Sequence, residues 1–107
     1  MKVETRNSPR KIFRCHARIA LPGRPPQTCR TVDISLNGLC LFLSEQLKTG
    51  QACTVAFEAP LTGKHLPVVV NAKVIYSILS GTDGFRTGVQ FVQLDAATEK
   101  IIVELMV

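Results

Sequence analysis

Tryptophan is absent from this 107-residue chain, and aromatic character is confined to five phenylalanines and one tyrosine, Tyr76. Sequence-tolerant nucleic-acid binding relies on exposed aromatic faces that stack bases, so this scarcity ranks nucleic acid low as a partner despite a net charge of +5. Long apolar runs are missing too. Gly, Pro, Asn or charged residues interrupt the Val-, Ile- and Leu-rich stretches every few positions, well short of the ~20 residues a membrane helix needs, and no membrane span is expected. Met1 to Arg10 lack the apolar core of a secretory signal, so a cytoplasmic location is expected. The four cysteines (Cys15, Cys29, Cys40, Cys53) include no CxxC pair, and only His16 and His65 could join them. That spacing suits neither a zinc site nor a secreted disulfide framework, and the four are expected as core or near-surface thiols. No Ser/His/Asp, Cys/His or paired-carboxylate arrangement stands at recognisable spacing. Neither an enzyme, nor a metal site, nor a cofactor is expected.

What the chain does have is charge concentrated at one end. Up to Arg30 there are eight basic residues against Glu4 alone, and from Thr31 onward five against seven acids. The basic end is rich in arginine rather than lysine, which favours forked recognition of phosphate or guanine edges. An anionic ligand is expected there.

The length suits one domain. Residues 1–11 read as a flexible basic arm, because polar residues, Pro9 and clustered charge leave little to bury. From residue 12 to 107 the pattern becomes that of a folded unit. Phe13, Cys15, Ala17, Ile19 and Leu21 alternate with Arg14, His16 and Arg18, the period of a strand with its arginines outward. Val32, Ile34 and Leu36 alternate with Thr31, Asp33 and Ser35, predicting a second strand with aliphatics buried and the polar set on the opposite face. Asn37-Gly38 predicts a tight turn at positive φ. Leu39 to Leu43 is apolar on both faces, so an outer cover is expected, supplied by a C-terminal helix after a cap at Asp95. Further strands are expected over 52–58, 67–79 and 86–92, with turns at 59–64 and 80–84. Six short strands and one helix predict a mostly β, six-stranded antiparallel barrel.

Two motifs fall on the outward positions: Arg10-Lys-Ile-Phe-Arg14, an RxxxR, and Asp33-Ile-Ser-Leu-Asn-Gly38, a DxSxxG. Each alone is weak. Their order and separation, followed by Leu39-Cys-Leu-Phe-Leu43 and by Arg86-Thr-Gly-Val-Gln-Phe91, resemble the PilZ domain family over nearly the whole chain.

That resemblance implies a PilZ-like barrel acting as a bacterial receptor for the second messenger cyclic di-GMP, which relays occupancy to a protein effector not identifiable from sequence. It implies ligand contacts from Arg10, Arg14, Asp33, Ser35 and Gly38, with Lys11, Asn37 and Arg6 as auxiliary residues. The chemistry fits these residue types. Guanidinium groups fork onto guanine O6 and N7, pair with phosphate and stack on purines, while Asp33 can accept from guanine N–H donors. In an extended segment Arg10 and Arg14 would point the same way, about 13 Å apart, and could grip one ligand together. Pro9 and Lys11 depart from the family's frequent paired arginines at this point, leaving open whether one or two ligands bind, and homodimerisation stays open too. The alternative reading is a ligand-independent PilZ-like adaptor for protein–protein interaction.

Overall fold

The computed structural model describes residues 9–107. Arg6 and the first eight residues of the expected arm lie outside the described residues. Seven strands and one helix follow in order: β1 (Lys11–Ile12), β2 (His16–Ala20), β3 (Gln27–Ile34), β4 (Gly38–Leu43), β5 (Ala52–Leu61), β6 (Lys64–Ser80), β7 (Gly84–Phe91) and α1 (Ala96–Leu105). Six of the strands run β3-β2-β5-β6-β7-β4, every neighbour antiparallel, and a β3–β4 pairing closes the sheet into a barrel. Closure removes the open sheet edges that would otherwise invite aggregation. The two-residue β1 adds to the end of β3, with Lys11 opposite Ile34 and Ile12 opposite Asp33.

Period-two alternation builds the core. Ala17 and Ile19 of β2, Val55 and Phe57 of β5, Val68 and Val70 of β6, and Leu39, Leu41 and Leu43 of β4 all point inward and are buried. Phe13 and Cys15 pack against the same core, and Arg14, His16 and Arg18 face solvent as the alternation predicts. Cys29, Cys40 and Cys53 are buried free thiols, and Cys15 is half-buried.

The helix begins where expected, its Asp95 carboxylate accepting from the Thr98 backbone N–H at 2.7 Å. Its position corrects one expectation. α1 packs against β5 and β6, not over β4, and sends Ile102 and Leu105 into the core. The outer face of β4 is covered instead by aromatic side chains: Tyr76 of β6 reaches Cys40, and Phe42 of β4 itself lies over Gly84.

A second correction concerns β3. Thr31 faces inward, buried opposite Leu41, and its hydroxyl donates to the Phe13 carbonyl at 2.6 Å and accepts from the Cys15 N–H at 2.9 Å. Leu36, expected inside, is 49% exposed beyond the strand's end. Leu36 is exposed because β3 ends at Ile34 and the chain turns over 35–38, whereas the inward Thr31 comes from a shift of register between Thr31 and Asp33, where two residues oppose one on β4. A bulge of this kind reverses the facing of everything after it. Asp33 therefore pairs outward with Cys40, and Ile34 turns into the core. A matching shift lies between Val74 and Tyr76 on β6.

Candidate functional site

The register of β6, β7, β4 and β3 lines up two lateral rows of outward residues. One runs Tyr76, Gly88, Cys40, Asp33, and the next runs Ile78, Arg86, Phe42, Arg30, with His16 of β2 beyond Arg30. Neighbours in such a row are only ~5 Å apart, so residues distant in sequence meet on one face.

At the end of the first row Arg10 Nε donates to Asp33 Oδ1 at 3.0 Å. The two side chains are 47% and 23% exposed. An ion pair this open contributes little stability, about 0–1 kcal/mol, yet it holds a carboxylate acceptor and a forked donor side by side at the surface. Arg10 also walls a groove of ≈ 230 Å³ shared with Ser35, Gly38, Tyr76, Gly88 and Gln90. Arg14 lines a different groove of ≈ 430 Å³, with His16, Arg30, Phe42 and Arg86. The two expected partners thus stand in separate grooves, one on each side of the Cys40–Gly88 pair. Lys11 is directed elsewhere, its Nζ donating to the Val107 carbonyl at 2.8 Å.

The Ser35–Gly38 segment is a turn held by its own serine. Ser35 is buried, and its Oγ accepts from the backbone N–H groups of Asn37 and Gly38, each at 3.2 Å, while the Ser35 N–H donates to the Gly38 carbonyl at 2.9 Å. The Asn37 carbonyl in turn accepts from the Phe91 N–H at 2.8 Å, tying the turn to β7. Neither Asn37 nor Gly38 has positive φ, contrary to the expected turn geometry. Gly38 is required for another reason: a Cβ there would collide with the Val89 carbonyl oxygen and lie 3.1 Å from its carbon. It is a point of close strand approach.

Gly88 has a comparable role beneath an aromatic ring. A Cβ there would meet Tyr76, with Cζ at 2.6 Å and Cδ2 at 2.8 Å. The tyrosine hydroxyl donates toward Cys40 Sγ at 3.7 Å. Burial holds both the Tyr76 hydroxyl and the Cys40 thiol above their ordinary values, so both are neutral near pH 7. Among the described residues, no cluster of three or more His, Cys, Asp and Glu could hold a metal ion, and no helix is long and apolar enough to cross a membrane.

Arg30, Arg86 and Tyr76 are not among the site residues expected from sequence, Arg86 entering there only as the start of the Arg86–Phe91 motif. Arg30 follows from alternation once β3 is begun at Gln27 rather than Thr31. Arg86 joins the groove only through its pairing with Phe42, and Tyr76 only through the β6 bulge; neither pairing leaves a local sequence mark.

The family model of the PilZ domain matches residues 4–107. No curated protein sequence matches the chain. Among solved structures, the chain is similar to the Bacillus subtilis inhibitor of motility (MotI/DgrA), with a TM-score of 0.82 at 11% identity over 97% of this chain and 51% of that one. It is also similar to the K. pneumonia MrkH–c-di-GMP complex, with a TM-score of 0.73 at 14% identity over 97% and 52%. The PilZ domain of CeSA from a cellulose-synthesizing bacterium aligns with a TM-score of 0.66 at 19% identity over 92% and 94%. At such identities the likeness is one of fold, and the chain spans about half the length of the first two proteins.

Proposed function

The chain belongs to the PilZ domain family, and from that premise we propose that it is a cyclic di-GMP receptor that relays occupancy to a protein effector in the cytoplasm. The observation that carries this reading is a pair of neighbouring grooves, one walled by Arg10, which is paired with Asp33, and the other lined by Arg14, Arg30 and Arg86. Clustered guanidinium groups over low-dielectric walls attract a dianionic ligand and fork onto its phosphates or guanine edges. Asp33, already an acceptor for Arg10, offers the complementary acceptor for guanine N–H donors. Ser35 and Gly38 support this indirectly, because their hydrogen bonds and close packing fix the turn beside the carboxylate. The MrkH structure, named as a c-di-GMP complex and sharing this fold, adds support. In this reading the protein performs no chemical step of its own, and Lys11, Asn37 and Arg6 are auxiliary at most.

Isothermal titration with cyclic di-GMP tests the proposal, with GMP and cyclic di-AMP as controls. Saturable, guanine-selective binding is expected, weaker at high salt because phosphate contacts are screened. Losing a charge-assisted contact worth about 1.5–3 kcal/mol makes Arg14→Ala and Asp33→Ala bind roughly 10- to 160-fold more weakly. No heat at any concentration, with a folded protein, would reject the receptor reading in favour of a ligand-independent adaptor.

A further inference from the structure

The arginines and Asp33 account for the phosphates and for the edge of a guanine but leave the flat face of the base without a partner, and the groove beside Arg10 has one aromatic wall. On β6 the buried residues Val68, Val70, Ala72 and Val74 set a period that would carry Tyr76 into the core. The register shift between Val74 and Tyr76 turns it outward instead. The shift on β3 does the same for Asp33, and the two re-aimed residues come to lie in one lateral row, separated only by Cys40 and Gly88. Bulges interrupt the ladder and commonly serve to redirect a side chain. Two of them converging on one row is a specific construction. Gly88 gives the ring bare backbone to lie on, and Cys40 anchors its hydroxyl. The ring is thus fixed from below and at its tip, yet Tyr76 remains 37% exposed, lining the groove with Arg10 and Gln90. A ring already immobilised loses little further freedom when a planar group stacks on it.

We infer that Tyr76 is the base platform of this site: a purine stacks on its exposed face while the purine's edge meets Asp33 or Gln90. This rests on the cyclic di-GMP reading and adds to it a partner for the face of the base, which a bare phosphodiester lacks. The competing account is that Tyr76 merely covers Gly88, as cross-strand aromatics do in many sheets.

The chain has one tyrosine and no tryptophan, so protein labelled with 13C-tyrosine reports this ring alone. Titration with cyclic di-GMP should move the Tyr76 ring resonances upfield through the ring current of the stacked base, saturating with the calorimetric curve. Inorganic pyrophosphate should leave them in place. Tyr76→Phe keeps the face and most of the affinity, whereas Tyr76→Leu covers Gly88 with an apolar group but has no π face, and should bind roughly 5- to 160-fold more weakly, the range that follows from base–aromatic stacking. Calorimetric binding without a ring shift, or wild-type affinity in Tyr76→Leu, would overturn the platform and leave the receptor intact. Absence of both heat and shift would overturn the two together.

Discussion

Replacing Gly38 with alanine sets a methyl group against the backbone of β7, and the consequence can be worked from contacts. The new Cβ would collide with the Val89 carbonyl oxygen and stand 3.3 Å from the Gln90 Cα. Neither is the tip of a flexible side chain, so relief requires β4 and β7 to part at the Gly38–Gln90 pair. Parting there strains the Phe91 N–H bond to the Asn37 carbonyl and the Ser35 bonds of the turn. Overpacking costs about 1–3 kcal/mol where neighbours can adjust, and a backbone collision belongs at the upper end, about 3 kcal/mol. For a domain of this size each kcal/mol moves Tm by roughly 4–8 °C, so a fall of roughly 12–24 °C is expected in a circular-dichroism melt. Gly38→Asn discriminates further. Had the turn required positive φ, asparagine would be tolerated; because the demand is steric, Asn should be at least as damaging as Ala. A Gly38→Ala protein melting within about 4 °C of wild type, the smallest shift expected for even 1 kcal/mol, would refute the steric account.

Ser35→Ala leaves two backbone N–H groups without the acceptor that Ser35 Oγ gives them, and should lower the urea-derived stability by about 1–3 kcal/mol. Asp33→Ala, by contrast, removes only an exposed ion pair and should cost less than about 1 kcal/mol, so lost ligand binding in that variant cannot be attributed to unfolding. Burial pushes the Cys29 thiol up to about 12 and Cys53 up to about 11, from 9.0. In the unfolded chain these thiols ionise first, so stability is intact below about pH 9 and falls as pH rises toward 11–12; urea midpoints measured across that range should drop, and less so in Cys29→Ala.

Local alternation was enough to orient β2, because its five residues carry no irregularity and one face is uniformly apolar. It also located α1, where Asp95 and the helical spacing agree. It failed wherever a neighbour, not the strand itself, set the outcome. Pro60 argues for a turn, yet it lies within β5 opposite His65. β5 pairs with β2 only as far as Phe57, and a proline is tolerated on the unpaired edge beyond. The outer cover of β4 was legible as a need but not as a solution: the helix was the obvious apolar element, and a tyrosine from β6 supplied it. The motifs themselves are legible in the sequence but their grouping is not: Arg10 and Arg14 stand in two different grooves, and Arg30 and Arg86 from other strands join Arg14 in one of them.

The bulge in β3 follows from the sequence once both faces are considered. Strict pairing onward from Thr31 would bring Asp33 into the barrel and expose Ile34, which is 0% exposed. An unpaired buried carboxylate costs several kcal/mol and lost burial of an isoleucine about 1.5–3 more. Skipping one residue avoids both, at the cost of a local break in the ladder. Val32 is that skipped residue, since Thr31 opposes Leu41 and Asp33 opposes Cys40. Deleting Val32 therefore preserves the facing of every residue around it, Thr31 inward, Asp33 outward and Ile34 inward. The deletion forfeits the bond from the Phe13 N–H to the Val32 carbonyl, 3.1 Å, worth about 1 kcal/mol, so the deletion protein should fold with Tm lowered by roughly 4–8 °C. A deletion protein that is unfolded, or folded with Ile34 exposed to solvent in hydrogen exchange, would show that the extra residue does more than set the facing of the strand.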